Sequence, residues 1–154
     1  LVDRLLYRDG LAQLFGVVKL LITSGGNSNW YQIHTHLEER EEFTPDGWDR
    51  CYVRLAHMME RHPHIRGIYG GSWFYDPALA DISPRLTYLR GRPQDNGALV
   101  FYSNEDPDGG ALSTSETRRE MFEQGRYTPK AYAMIWPRAA LLSWARDFTV
   151  DRMT

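Results

Sequence analysis

The stretch from Arg66 to Arg90, RGIYGGSWFYDPALADISPRLTYLR, leaves the chain few ways to fold. Gly67 to Tyr75 is rich in aromatic and β-branched residues, which suit a pleated surface, and predicts a strand. Asp76-Pro77 ends it, because proline lacks an N–H and biases the residue before it away from the helical region. Ser83-Pro84 then places a good N-cap before a proline at the first helical position. Ile82, Leu86 and Leu89 give the helix that follows an apolar side. A strand feeding a helix N-terminus offers free backbone N–H groups and a favourable dipole to an anion.

On either side of this unit the pattern keeps alternating. Leu5, Leu6, Leu11, Leu14, Phe15, Val18, Leu21 and Ile22 recur at helical spacing and predict helix over 2–23. Ser24 to Ser28 is a loop by composition. Trp30 to Leu37 alternates as a strand, with Gln32, His34 and His36 on one side and Tyr31, Ile33 and Thr35 on the other. Glu38 to Glu42 reads as a solvated turn. Thr44-Pro45-Asp46 opens a helix to about Arg61, with Trp48, Cys51, Tyr52, Leu55, Met58 and Met59 on its apolar side. After the central unit come a turn at Arg92–Gly97, a strand at Ala98–Ser103 and an acidic, glycine-rich loop. Ser113-x-x-Glu116 matches a capping box and starts a helix that Gly125 ends. Tyr127 to Trp136 reads as a strand, and Pro137 opens a last helix. The order α-β-α-β-α-β-α-β-α predicts an α/β fold, with a central mixed sheet flanked by helices.

The 154 residues show no interdomain linker and no internal repeat, so residues 1–154 are expected to form one domain. The first residue is Leu, which suggests a trimmed N-terminus or a fragment. A net charge of −2 gives no argument for a nucleic-acid surface. No apolar run is long enough for a membrane span. A single cysteine, Cys51, excludes an internal disulfide and a thiolate metal cluster, and fits a reducing, cytoplasmic location. Of the 18 basic residues, 16 are arginine, whose planar fork suits carboxylate and phosphate, although genomic base composition is the simpler account of such an excess.

The residues from Ser72 to Leu89, SWFYDPALADISPRLTYL, resemble the central strand-loop-helix of the GNAT-type acyltransferases, in which a strand ends in a V-D-P-x-x-R turn. Arg118 to Tyr132, RREMFEQGRYTPKAY, is similar to that family's helix ending in Y-x-x-x-G-F. The resemblance covers residues 64–136. It implies a GNAT-like fold and an acyl-coenzyme A donor, held at the helix N-terminus by Ser83, Arg85, Leu86 and Arg90. It also implies a small-molecule or peptide acceptor. Ala80 to Arg85 stands where the family carries a glycine-containing pyrophosphate loop, and it has no glycine.

All five histidines fall within 31 residues: His34, His36, His57, His62 and His64. His34 and His36 share one strand face, and a neutral imidazole there suits a general base acting on an amine or hydroxyl. The same pair has the spacing of two metal ligands, but a catalytic zinc needs a third, so no metal is expected. Arg118 and Arg119 sit in the first turns of a helix, where positive charge opposes the dipole. A salt bridge to a neighbouring glutamate is the simpler account. Acyl transfer from coenzyme A is therefore the leading functional expectation. A non-catalytic ligand-binding or protein-interaction domain that kept the fold is the alternative, and a metal-dependent hydrolase using His34 and His36 is the third.

Overall fold

The computed structural model describes residues 29–35, 41 and 43–151. The helix expected over 2–23, the loop at 24–28 and His36 lie outside them. The fold is α/β, built on one mixed four-stranded sheet in the order β1-β2-β4-β3. The strands are β1 (Tyr31–Gln32), β2 (Gly67–Ser72), β3 (Leu99–Glu105) and β4 (Lys130–Pro137). The helices are α1 (Pro45–Arg61), α2 (Leu79–Ile82), α3 (Tyr88–Asp95), α4 (Glu116–Glu123) and α5 (Arg138–Asp151). β1 pairs in parallel with β2, and β4 runs antiparallel to both β2 and β3. β1, β2 and β3 therefore point the same way and bring their carboxyl ends to one rim of the sheet.

α1 begins and ends where its sequence directs. Thr44 caps it by accepting a hydrogen bond from the Gly47 N–H, with Pro45 in the first turn. Trp48, Tyr52, Ala56 and Met59 form its buried ridge, while Met58 is exposed. Its last carbonyls are closed by a distant side chain. The Arg138 guanidinium donates to the carbonyls of Met59, His62 and Ile65 at 2.5–3.3 Å.

The core lies where α1, α3 and α5 cover one face of the sheet. Ile68 opposes Trp136, and Val100 opposes Met134, so these four share that face. Against them pack Tyr52, Met59, Leu89, Leu141 and Trp144. Tyr52, Trp136 and Trp144 meet with ring centroids 5.1–6.0 Å apart. The Trp136 indole N–H donates to the Asn96 carbonyl at 2.9 Å. Gly67 is required by close approach: a Cβ there would lie 2.3 Å from the Trp136 carbonyl oxygen.

Several boundaries differ from the sequence reading. The strand expected over 67–75 stops at Ser72, and Trp73–Tyr75 forms a 3-10 turn. The cause is local, since the Ser72 Oγ accepts from the Phe74 N–H and turns the chain. The helix expected to open at Ser83-Pro84 is a three-residue 3-10 turn, followed by α3. Arg92–Asp95, expected as a turn, belongs to α3, which carries Pro93 and is closed by Asn96. α4 is capped by Ser115 rather than Ser113, whose hydroxyl donates to the Gly110 carbonyl. Gly125, at φ +66, follows its end in the left-handed region. β3 and β4 shift register between Tyr102 and Asn104, so β3 carries one extra residue before Glu105 meets Lys130.

Candidate functional site

In open α/β sheets, ligands bind outside the carboxyl ends of the strands. Here that rim receives the segment after β2, the end of β3 and the entry to β4. Between them lies a cavity of about 310 Å³, with Asp76, Glu105, Arg126, Tyr127, Thr128 and Lys130 in its wall.

Asp76 is the anchor of this wall and is only 3% exposed. Its Oδ1 accepts from the Ala78 N–H at 3.0 Å, which fixes the Asp76-Pro77 turn. Its Oδ2 accepts two longer bonds, from the Tyr127 hydroxyl at 3.4 Å and the Lys130 N–H at 3.3 Å. Among the described residues, no cationic side chain is bonded to it. Burial pushes the Tyr127 phenol well above its ordinary value, and the Asp76 charge pushes it further. Arg118 opposes both effects. Tyr127 therefore stays protonated and donates to Asp76.

Arg118 lies beside this wall, 2% exposed, with its guanidinium 4.5 Å from the centre of the Trp73 ring. Its Nε donates to the Ala111 carbonyl, Nη1 to Ser83 Oγ and Nη2 to Thr114 Oγ1, at 2.8–2.9 Å. The salt bridge to a neighbouring glutamate expected for this residue does not form; its partners are neutral. Burial lowers its pKa, Tyr127 acts against that, and the nearby Arg85 charge lowers it further.

The residues expected to hold an anion are thus differently placed. Ser83 is buried and its Oγ is taken by Arg118, which explains why it makes no side-chain cap for the turn after it. Leu86 is half-buried and packs against both the main core and the Trp73–Leu79 pair. Arg90 donates to the Tyr75 carbonyl at 2.6 Å and to Gln94 Oε1 at 2.8 Å, and lies 5.3 Å over the Tyr132 ring. Arg85 is exposed and makes no hydrogen bond among the described residues. His34 is exposed just beyond the carboxyl end of β1, on the same rim as the cavity but at the opposite edge of the sheet.

Among the described residues, no three His, Cys, Asp or Glu side chains are grouped to hold a metal ion. No helix among them is long and apolar enough to cross a membrane. Sequence reasoning saw Asp76 only as a strand stop and did not single out Tyr127 or Lys130. The signal for Arg118 was present, in its adverse place in a helix dipole. Compared with protein-family models, curated proteins and solved structures, the chain matches none of them.

Proposed function

We propose that the chain is a GNAT-like acyltransferase of the cytoplasm, moving an acyl group from a coenzyme A thioester directly to an amine or hydroxyl. The observation that carries this reading is the rim itself. Three parallel strands end there beside the cavity, and the segment that follows β2 carries Arg85, exposed and with no hydrogen bond among the described residues. An exposed guanidinium suits the phosphates of the donor. Ser83, Leu86 and Arg90 shape the ground beneath them, and Arg85 meets the anion.

In the transfer, the acceptor's nitrogen or oxygen attacks the thioester carbonyl carbon. The carbon–sulfur bond breaks, and the coenzyme leaves as a thiolate, which takes a proton from water. The acceptor's proton passes to the His34 imidazole, acting as general base without a metal, and His34 later returns it to solvent. His36 has the same role in the sequence reading. Acetyl-coenzyme A at millimolar concentration is expected to raise the melting temperature, because a ligand that binds only the folded chain stabilises it. Arg85→Ala should shrink that rise. His34→Ala should lower turnover roughly 10²–10⁴-fold with the fold intact. A melting temperature indifferent to acetyl- and longer acyl-coenzyme A overturns the proposal.

A second reading, a non-catalytic binding domain, is favoured by one observation: Ser83 and Arg90 are already engaged by internal hydrogen bonds. Stabilisation by the donor with no turnover on any amine would select it.

A further inference from the structure

We propose that the cavity behind Asp76 binds a small amino acid, with its ammonium on Asp76 and its carboxylate on Lys130 and Arg126. The first support is the state of Asp76. A buried carboxylate is expensive to keep unless a positive charge or full hydrogen bonding offsets it. Asp76 has three hydrogen bonds, two of them 3.3 Å or longer, and no bonded cation among the described residues. An ionised carboxylate accepts about four. Arg90 is close enough to interact with the Asp76 charge but directs its hydrogen bonds to the Tyr75 carbonyl and Gln94, so a primary ammonium in the cavity would supply the missing bond and a cation in direct contact.

The second support is the other charge in the wall. Lys130 donates its backbone N–H to Asp76, so its side chain leaves the strand beside that carboxylate. Arg126 joins it in the lining, and Glu105 pairs across the sheet with Lys130. A wall carrying both signs at short range fits a ligand carrying both signs at short range. Glu105 is the cross-strand partner of Lys130 and Arg126 donates to Gln124 Oε1, so the wall is mixed in sign, and a ligand that meets both signs fits it better than a plain amine or a plain anion. At about 310 Å³ the space suits a molecule of amino-acid size rather than a long chain.

The cavity lies at the opposite edge of the sheet from His34, so as a binding site it stands apart from the acyltransferase reading. The test is therefore run without any acyl donor. Glycine, β-alanine and γ-aminobutyrate are titrated by calorimetry and by melting temperature, with n-butylamine and butyrate as singly charged controls. At least one amino acid should bind at least tenfold more tightly than either control. Asp76→Asn keeps the oxygen that accepts from Ala78 and should weaken that binding at least tenfold. Lys130→Ala should weaken the amino acid and leave n-butylamine unchanged. No binding by any amino acid, binding no tighter than the controls, or binding that survives Asp76→Asn overturns the proposal. Should Asp76→Asn fail to fold, Tyr127→Phe serves, since it removes a donor from Asp76 and should change the affinity at least threefold. An unchanged affinity then overturns it. Absent acyl transfer with amino-acid binding intact would reject the catalytic reading alone.

Discussion

At the seam between α1 and α3, Asp49 meets Arg92 in a two-pronged pair, Nε to Oδ1 at 2.8 Å and Nη2 to Oδ2 at 2.9 Å. At the rim, Asp76 is buried as deeply as Asp49, and Arg118 more deeply than the partly exposed Arg92, yet each is bonded only to neutral groups. Both regions take charge out of water, and they balance it differently. The seam closes its account within the chain and holds two helices in one geometry. The rim leaves its two charges without a direct ion pair: Asp76 is held by N–H groups and a phenol with Arg90 at a distance, and Arg118 by neutral oxygens and an indole face. Such an arrangement is weaker for stability and more open to a ligand.

The two regions should separate most sharply when the arginine is replaced by a methionine of similar reach. Arg92→Met strands the Asp49 carboxylate in the interior. Breaking a buried pair from one side typically costs about 3–5 kcal/mol, and the partial exposure of Arg92 places the expected loss near the lower end. Arg118→Met leaves only neutral acceptors behind. Thr114 Oγ1 still donates to the Gly110 carbonyl at 2.7 Å. A loss of about 1–2 kcal/mol is expected, with contact to Trp73 kept. Urea unfolding of both variants checks the order, and equal losses would erase the distinction between seam and rim.

The smallest effect belongs to alkaline pH. Burial pushes the Tyr88 phenol up to about 12, and its hydroxyl has no hydrogen-bond partner among the described residues. In the unfolded chain a phenol ionises near pH 10. A proton held more tightly in the folded state contributes stability that is whole below about pH 10, and that contribution is lost as pH rises towards 12. Tyr88→Phe should leave stability at neutral pH within about 0.5 kcal/mol. It should also make stability fall less steeply between pH 10 and 12, as read by circular dichroism melts at each pH. An identical slope would show that Tyr88 ionises alike in both states.

How far the sequence carries depends on where each cause lies. α1 was legible to the residue because Thr44, Pro45 and the spacing of its apolar ridge are all local. β3 and β4 showed in their apolar runs, though their ends moved by one to three residues. The strand at Trp73–Tyr75 was misread because aromatic residues suit a strand by propensity, while the Ser72 hydroxyl turned the chain. The candidate site was much less legible. Asp76 becomes a charged wall only through Tyr127 and Lys130, 51 and 54 positions downstream. Ser83 looked like a helix cap and instead accepts from Arg118, 35 positions away. Neither pairing leaves a trace in spacing or periodicity.

The strand order also bears on how the chain is made. β4 sits between β2 and β3, yet it is the last of the four strands to leave the ribosome. Until residues 130–137 emerge, β2 and β3 have nothing to hold them side by side. The carbonyls at the end of α1 wait as well, for an arginine 79 positions further on. Synthesis thus keeps two apolar strand edges open until the final stretch arrives, the kind of surface on which nascent chains stick to one another. The centre of this sheet is its keystone, set after the stones on either side.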